Sequence, residues 1–133
     1  MIDIENEVIT LLYNAVHPTY DTAQFESTLN LSPSVFPCIC VEEVSNLTYN
    51  RSADSKSNEN HASVIIEINI FTNLTSGKKA QAKAISKLID GAMVSTGFQR
   101  TMSNPAALNN GTMYRMILRY SGVVSSNNTV FGR

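Results

Sequence analysis

Residues 61–73, "HASVIIEINIFTN", alternate between two kinds of surface. Ala62, Val64, Ile66, Ile68 and Ile70 fall on one side of an extended chain, and Ser63, Ile65, Glu67, Asn69 and Phe71 on the other. A period of two is that of a strand, so one face packs on a core while the other is mixed and at least partly wet. Upstream, "CICVEEVSNL" (38–47) repeats the pattern, with Ile39 and Val41 on one face and Cys38 and Cys40 on the other. Between the two runs, "NRSADSKSNEN" (50–60) contains no large apolar residue. The two runs are expected to pair as a long antiparallel hairpin around residues 38–73, tipped by a polar loop at about 48–61. Connections that long are usually functional or disordered, which makes Tyr49, Arg51, Asp54, Lys56 and Glu59 candidate contact residues.

On either side of the hairpin the period changes to that of a helix. Ile4, Val8, Leu11, Leu12, Ala15 and Val16 mark one face of a segment over 3–16, with Asp3, Glu5 and Glu7 in its first turns, where they complement the helix dipole. His17-Pro18 ends it, because a residue before proline is driven out of the α region. Residues 77–96 bury Ala80, Ala84, Ile85, Leu88, Ile89, Ala92 and Met93, and Gly97 suits the position after the last turn. Residues 24–31 are weakly extended, "FQRTM" (98–102) is a short strand, "SNPAALNNG" (103–111) is rich in turn residues, and "TMYRMILRYSGVV" (112–124) is a long strand. This order predicts an α+β fold, two helices packed on one face of a mainly antiparallel sheet. It forms a single domain over 1–124, followed by a flexible tail over 125–133 whose Val130 and Phe131 can dock on a neighbour.

The chain has 133 residues, 43% of them hydrophobic, enough for one core that buries about two-thirds of the unfolded surface. Its net charge of −1 hides a strong asymmetry. Residues 1–67 hold ten acids and two bases, whereas residues 68–133 hold one acid and eight bases. Such halves either cancel within the fold or meet between copies packed front to back. No apolar run approaches the ~20 residues a membrane span needs. Three acids in the first seven residues do not resemble a signal peptide, so a soluble cytosolic protein is expected. On that expectation the six Asn-x-Ser/Thr triplets, at Asn30, Asn46, Asn50, Asn73, Asn110 and Asn127, are products of composition.

No chemical constellation emerges. "FTNLTSGKKAQAK" (71–83) carries a Gly-Lys pair between a strand and a helix, but a phosphate loop needs glycine where Thr72 stands and a hydroxyl where Lys79 stands. The stretch is better explained as a turn in which Asn73, Thr75 or Ser76 caps the helix and Gly77 relaxes the lead-in. Cys38 and Cys40, two apart in a strand, are too distant for an unstrained disulfide and too few for zinc, so they are expected as small buried hydrophobes. His17 and His61 belong to no ligand array, and Glu42 and Glu43, being adjacent, face opposite ways. Glu67 is placed to pair with Arg115 or Arg119 across the sheet. No enzyme activity, metal or cofactor is expected. Lys79, Lys83 and Lys87 form an i, i+4, i+8 stripe that either faces nucleic acid or the acidic half of another subunit, or is simply a solvated helix face.

Several phrases taken together resemble a family. "IDIENEVIT", "FPCICVEEV", "NENHA", "NIFTN", "SGKKAQAKAI", "GFQRT", "NPA" and "YRMILRY", spread over residues 2–124, are similar to the small tail-completion proteins of long-tailed bacteriophages, the tail terminators and tail-to-head joining proteins. The resemblance implies an α+β subunit of a hexameric ring that caps the tail tube and joins it to the head. It also implies a homo-oligomer whose partners are the tail tube protein and a head-closure or connector protein. DNA would pass through the lumen without specific binding, and no membrane would be involved. The location it implies is the virion, with assembly in the host cytoplasm, and the family offers no catalytic residue to carry over. A neck or head-closure protein on the portal side, and a small intracellular enzyme whose site would show as a deep pocket with titratable groups, are the alternatives.

Overall fold

A computed structural model describes residues 2–48, 61–106, 112–125 and 129–131. The hairpin-tip candidates Tyr49, Arg51, Asp54, Lys56 and Glu59 lie outside these residues. The elements are α1 (Glu5–Val16), β1 (Gln24–Glu26), β2 (Cys38–Thr48), β3 (His61–Thr72), α2 (Lys78–Thr96), β4 (Gln99–Ala106), β5 (Tyr114–Ser125) and β6 (Val130–Phe131). The strands form one sheet in the order β1-β2-β3-β5-β4, with β6 also paired to β5. All pairings are antiparallel except β1 with β2, so the mainly antiparallel α+β sandwich expected from the sequence is what the chain builds.

The alternating stretch lies at the centre of that sheet, paired from Ala62 to Phe71 with β2 and along its whole length with β5. Its apolar face is fully buried under the helices: Ala62, Val64, Ile66, Ile68 and Ile70 pack with Val8, Leu12 and Val16 of α1 and Ala82, Ile85, Ile89 and Met93 of α2. Hydrophobic transfer from these residues supplies most of the force that holds the two layers together. α1 contacts β2, whereas α2 lies over β3, β5 and β4, so the two helices sit side by side toward different edges of the sheet.

The opposite face is dry at one end, where Cys38, Cys40 and Phe71 are buried with Phe36 packed against them. The segment between β1 and β2 folds over this corner, and Pro33 within it is buried. Both cysteines are free thiols.

Three elements differ from what the sequence pattern predicts. β4 runs to Ala106, beyond the short strand expected over 98–102 and into the stretch expected as a connection; its own pattern is mostly exposed, and the pairing is supplied by β5. Pro105 is tolerated there because β4 is an edge strand, where one side of the backbone needs no ladder bond. Residues 24–26 pair in parallel with 38–40, held by the Gln24 amide donating to the Pro37 carbonyl at 2.9 Å. Val130 and Phe131, placed by the sequence pattern in a flexible tail, add a short strand to β5 beyond the start of β4, and Ser125 N–H donates to the Thr129 carbonyl at 2.8 Å.

Both sheet edges are irregular. β2 is covered by β1 only over Cys38–Cys40, and its register with β3 shifts between Glu43 and Ser45. β4 shifts against β5 between Arg100 and Met102. Such bulges twist an edge away from the flat template that another strand needs.

The lead into α2 also departs from expectation. None of Asn73, Thr75 or Ser76 caps it; Gly77 is itself the N-cap, at φ 89°, with no side-chain cap bond. A left-handed residue at that point swings the side chains before it out of line with the first amides, and only glycine occupies such a conformation without strain. Gly97, at φ 122°, closes the helix, and the Phe98 amide reaches back to the Met93 carbonyl at 3.0 Å.

Candidate functional site

The stripe residues Lys79, Lys83 and Lys87 are exposed on α2, and none makes a hydrogen bond or ion pair among the described residues. Their direction follows from Asp90, which is three residues after Lys87 and so on the same side of the helix. Asp90 accepts a hydrogen bond from the Tyr120 hydroxyl at 2.8 Å and pairs with Arg100 on β4 at 3.2 Å. The stripe therefore stands over the β4 edge of the sandwich. Small exposed residues, Ala80, Ala84 and Gly91, lie beside it, and Val94 is 51% exposed near its end.

Arg100, Arg115 and Arg119, the described arginines of the second half, are engaged. Arg119 bonds Glu67 through Nε at 2.9 Å and Nη2 at 2.8 Å, the pairing expected for Glu67. Arg115 donates to Asn69 Oδ1 at 2.9 Å and lies over the Phe71 ring at 5.6 Å, while Asn69 donates in turn to Glu67 at 3.2 Å. Asp90, the single acid after residue 67, is used by Arg100 and Tyr120. Burial and then the Asp90 carboxylate push the Tyr120 hydroxyl well above its ordinary pKa, so it stays protonated as the donor. Among the described residues of the second half, unpaired positive charge is thus concentrated on α2.

Negative charge gathers along the opposite edge. Asp3 Oδ1 accepts from the Glu5 amide at 3.1 Å, and Glu5 Oε2 accepts from the Glu43 amide of β2 at 2.9 Å. Asn46 donates to the Ile2 carbonyl at 2.6 Å and to Glu43 Oε2 at 3.2 Å, which fixes the start of the chain against β2. The other Glu43 oxygen is buried with no hydrogen-bond partner. Burial, and beyond it the charges of Asp3 and Glu5, raise the Glu43 pKa despite the Asn46 bond that opposes the shift. Asp3 is exposed beside this cluster, as is Val44, at 45%, on β2. Contact between residue 5 and residue 43 leaves no local mark in the sequence; only the concentration of acids in the first half pointed to it.

At the buried corner the Cys38 thiol donates to Glu26 Oε2 at 3.4 Å. Cys40 is the more acidic of the pair, its pKa lowered by the hydrogen bond from Cys38 and then by the Asn30 amide, against burial. Among the described residues no group of three or more His, Cys, Asp or Glu is placed to hold a metal ion.

The described grooves are open and lightly functionalised. One is lined by Ser32, Pro33, Phe36, Asn73, Thr112 and Met113, a second by Ile4, Glu7, Val8, Leu11, Thr96, Phe98 and Val130, and two others include Glu7 and Lys78 respectively. Each holds at most one titratable side chain, so none of these four presents an acid–base pair.

The fold recurs in a solved virion. A chain of the virion of a native gene transfer agent (GTA) particle is similar at TM-score 0.58 and 14% identity, over 91% of this chain and 92% of that one. At that identity the likeness is one of fold. No family model matches the sequence, and no curated protein does. No helix among the described residues is long and apolar enough to cross a membrane.

Proposed function

We propose that the chain is a structural protein of a phage-like virion, a tail terminator or tail-completion subunit that forms a ring, hexameric by family resemblance, on the end of the tail tube and joins it to the head. The observation that carries this reading is a fold shared, over nearly the full length of both chains, with a component of the gene transfer agent virion. Separation of charge supports it. A closed ring is built from heterologous contacts in which one patch meets a different patch on the next copy, and this subunit presents an acidic α1–β2 edge and a basic α2 edge on opposite sides. In the ring, DNA passes through the lumen, and Lys79, Lys83 and Lys87 face either that DNA or the neighbouring subunit. The hairpin loop, with Tyr49, Arg51, Asp54, Lys56 and Glu59, contacts an adjoining component on assembly. The protein has no catalytic role and needs no cofactor, its partners being the tail tube protein and a head-closure or connector protein. It assembles in the host cytoplasm without a membrane partner.

Electron microscopy together with mass in solution tests the reading: six-fold rings with a central hole are expected, and a protein that stays monomeric at high concentration and on isolated tails overturns it. Capture by tail tube protein is expected to exceed capture by the head connector. The reverse preference identifies a head-closure component instead.

A further inference from the structure

The lysine stripe on α2 stands on a surface with almost no open negative charge. We infer that Lys79, Lys83 and Lys87, together with the side of β4 that faces α2, form a track for the sugar-phosphate backbone of duplex DNA, taken without regard to sequence. The track deepens the ring reading, on which it rests for the place where DNA is met, by choosing between the two occupants named above.

Asp90 is the single acid after residue 67, and its charge is met by Arg100 at 3.2 Å and by the Tyr120 hydroxyl at 2.8 Å. Glu67 lies on the sheet face away from the helices, paired there with Arg119, and the acids bonded to β2 lie toward the opposite edge. The three lysines have no partner among the described residues. On β4, Arg100 and Ser103 are exposed and stand opposite Tyr120 and Leu118, whose side chains belong to the helix-covered core, so both project on the α2 side of the sheet. Successive stripe lysines are about 6 Å apart along the helix axis, about 12 Å in all. A phosphate recurs about every 3.4 Å along each strand of duplex DNA, so the stripe runs beside about three or four phosphates of one strand. From Lys79 to Lys87 the exposed side chains of α2 other than lysine are Ala80 and Ala84, and Val94, the one large apolar side chain exposed on this helix, lies about two turns beyond. A protein partner would need an apolar centre that excludes water, which this stretch lacks, whereas a phosphate backbone needs only cations that displace its counterions. α2 contains no arginine or asparagine, and Gln81, two residues from both Lys79 and Lys83, points away from the stripe, so nothing on the helix is placed to read base edges.

Fluorescence anisotropy of the whole chain on mixed-sequence duplex DNA tests this. The logarithm of wild-type affinity is expected to fall against the logarithm of salt concentration with a slope of about −3, which makes binding about 40-fold weaker at about 200 mM salt than at about 50 mM. Each of Lys79→Gln, Lys83→Gln and Lys87→Gln is expected to weaken binding to AT-rich and GC-rich duplexes alike and to reduce the slope by about 1. The triple variant, folded by circular dichroism, is expected to lose binding. Arg119→Gln, which removes the same charge from the opposite face of the sheet, is expected to leave slope and affinity unchanged. No saturable binding by wild-type protein at low salt overturns the inference, and so does a triple variant that binds as the wild type does. Poly-glutamate bound as tightly as the duplex, with the same loss in the triple variant, overturns it in favour of an acidic protein partner. Rings lost in the folded triple variant while wild-type protein forms them overturn it in favour of a contact between copies. Absence of wild-type rings overturns the ring reading and leaves the DNA measurement standing.

Discussion

Gly122 and Gly91 are the same residue type under opposite constraints. A Cβ on Gly122 would lie 2.9 Å from the Phe98 ring and 3.0 Å from Val130, so the close approach of β5 to the start of β4 and to β6 depends on the missing side chain. Gly91 sits inside α2, where an added Cβ meets nothing within 4 Å. Gly122→Ala is expected to lose about 1–3 kcal/mol by overpacking, and Gly91→Ala to gain about 1 kcal/mol of helix propensity; paired thermal melts check both signs. Glu43 offers a test by pH. Its folded pKa lies above the unfolded value, so the folded chain holds that proton more tightly, and the resulting stabilisation is complete below the ordinary carboxylate range and lost as pH rises through the raised value. Glu43→Gln, which keeps an acceptor for Asn46, is therefore expected to raise the melting temperature by a few degrees at pH 7 and to leave it unchanged near pH 3. Neither position could be singled out from sequence, because each owes its constraint to residues far along the chain: Phe98 and Val130 for the glycine, Asp3 and Glu5 for the carboxylate.

Among the elements, legibility followed the length of the periodic signal. β3 and both helices display their buried faces over three or more turns or a dozen strand positions; the structure buries those of β3 and α1 closely, whereas in α2 the expected Ala80 and Ala84 are exposed and Ala82 and Ser86 are buried instead, so the face is turned by part of a turn. β1 and β6 have three and two residues, too few for any period, and β4 is exposed along most of its length, so these strands exist because a longer strand offers them a ladder. The lysine stripe was readable as local helix geometry, whereas its acidic counterpart, bonded between residues 5 and 43, was not. Docking of α2 onto the sheet includes a polar junction amid apolar contact, the Asp90 carboxylate shared by Tyr120 and Arg100. Asp90→Ala strands the hydroxyl of a fully buried tyrosine and is expected to cost about 1–3 kcal/mol. Tyr120→Phe removes the donor and leaves Asp90 with Arg100, and is expected to cost about 1 kcal/mol. Urea midpoints at unchanged m-value distinguish the two.

As a whole molecule, the chain keeps its lysine stripe apart from the acids gathered beside β2, although Glu67 and Arg119 pair across the two halves of the sequence. Among the described residues, Arg100, Arg115 and Arg119 are absorbed in pairs and networks on or beside the sheet, while Lys79, Lys83 and Lys87 of α2 stay outside them. The sequence left open whether the two halves cancel inside the fold or meet between copies, since distance in space is not written in composition. The irregular margins of the sheet bear on the same point. A subunit that carries both sides of its own contact is at risk of open-ended fibre growth while it waits in a crowded cell. With its backbone margins kinked at Val44 and beside Arg100, strand-to-strand addition is a poor route to self-association. On the ring reading proposed above, closure then depends on the concentration of copies at the place of assembly.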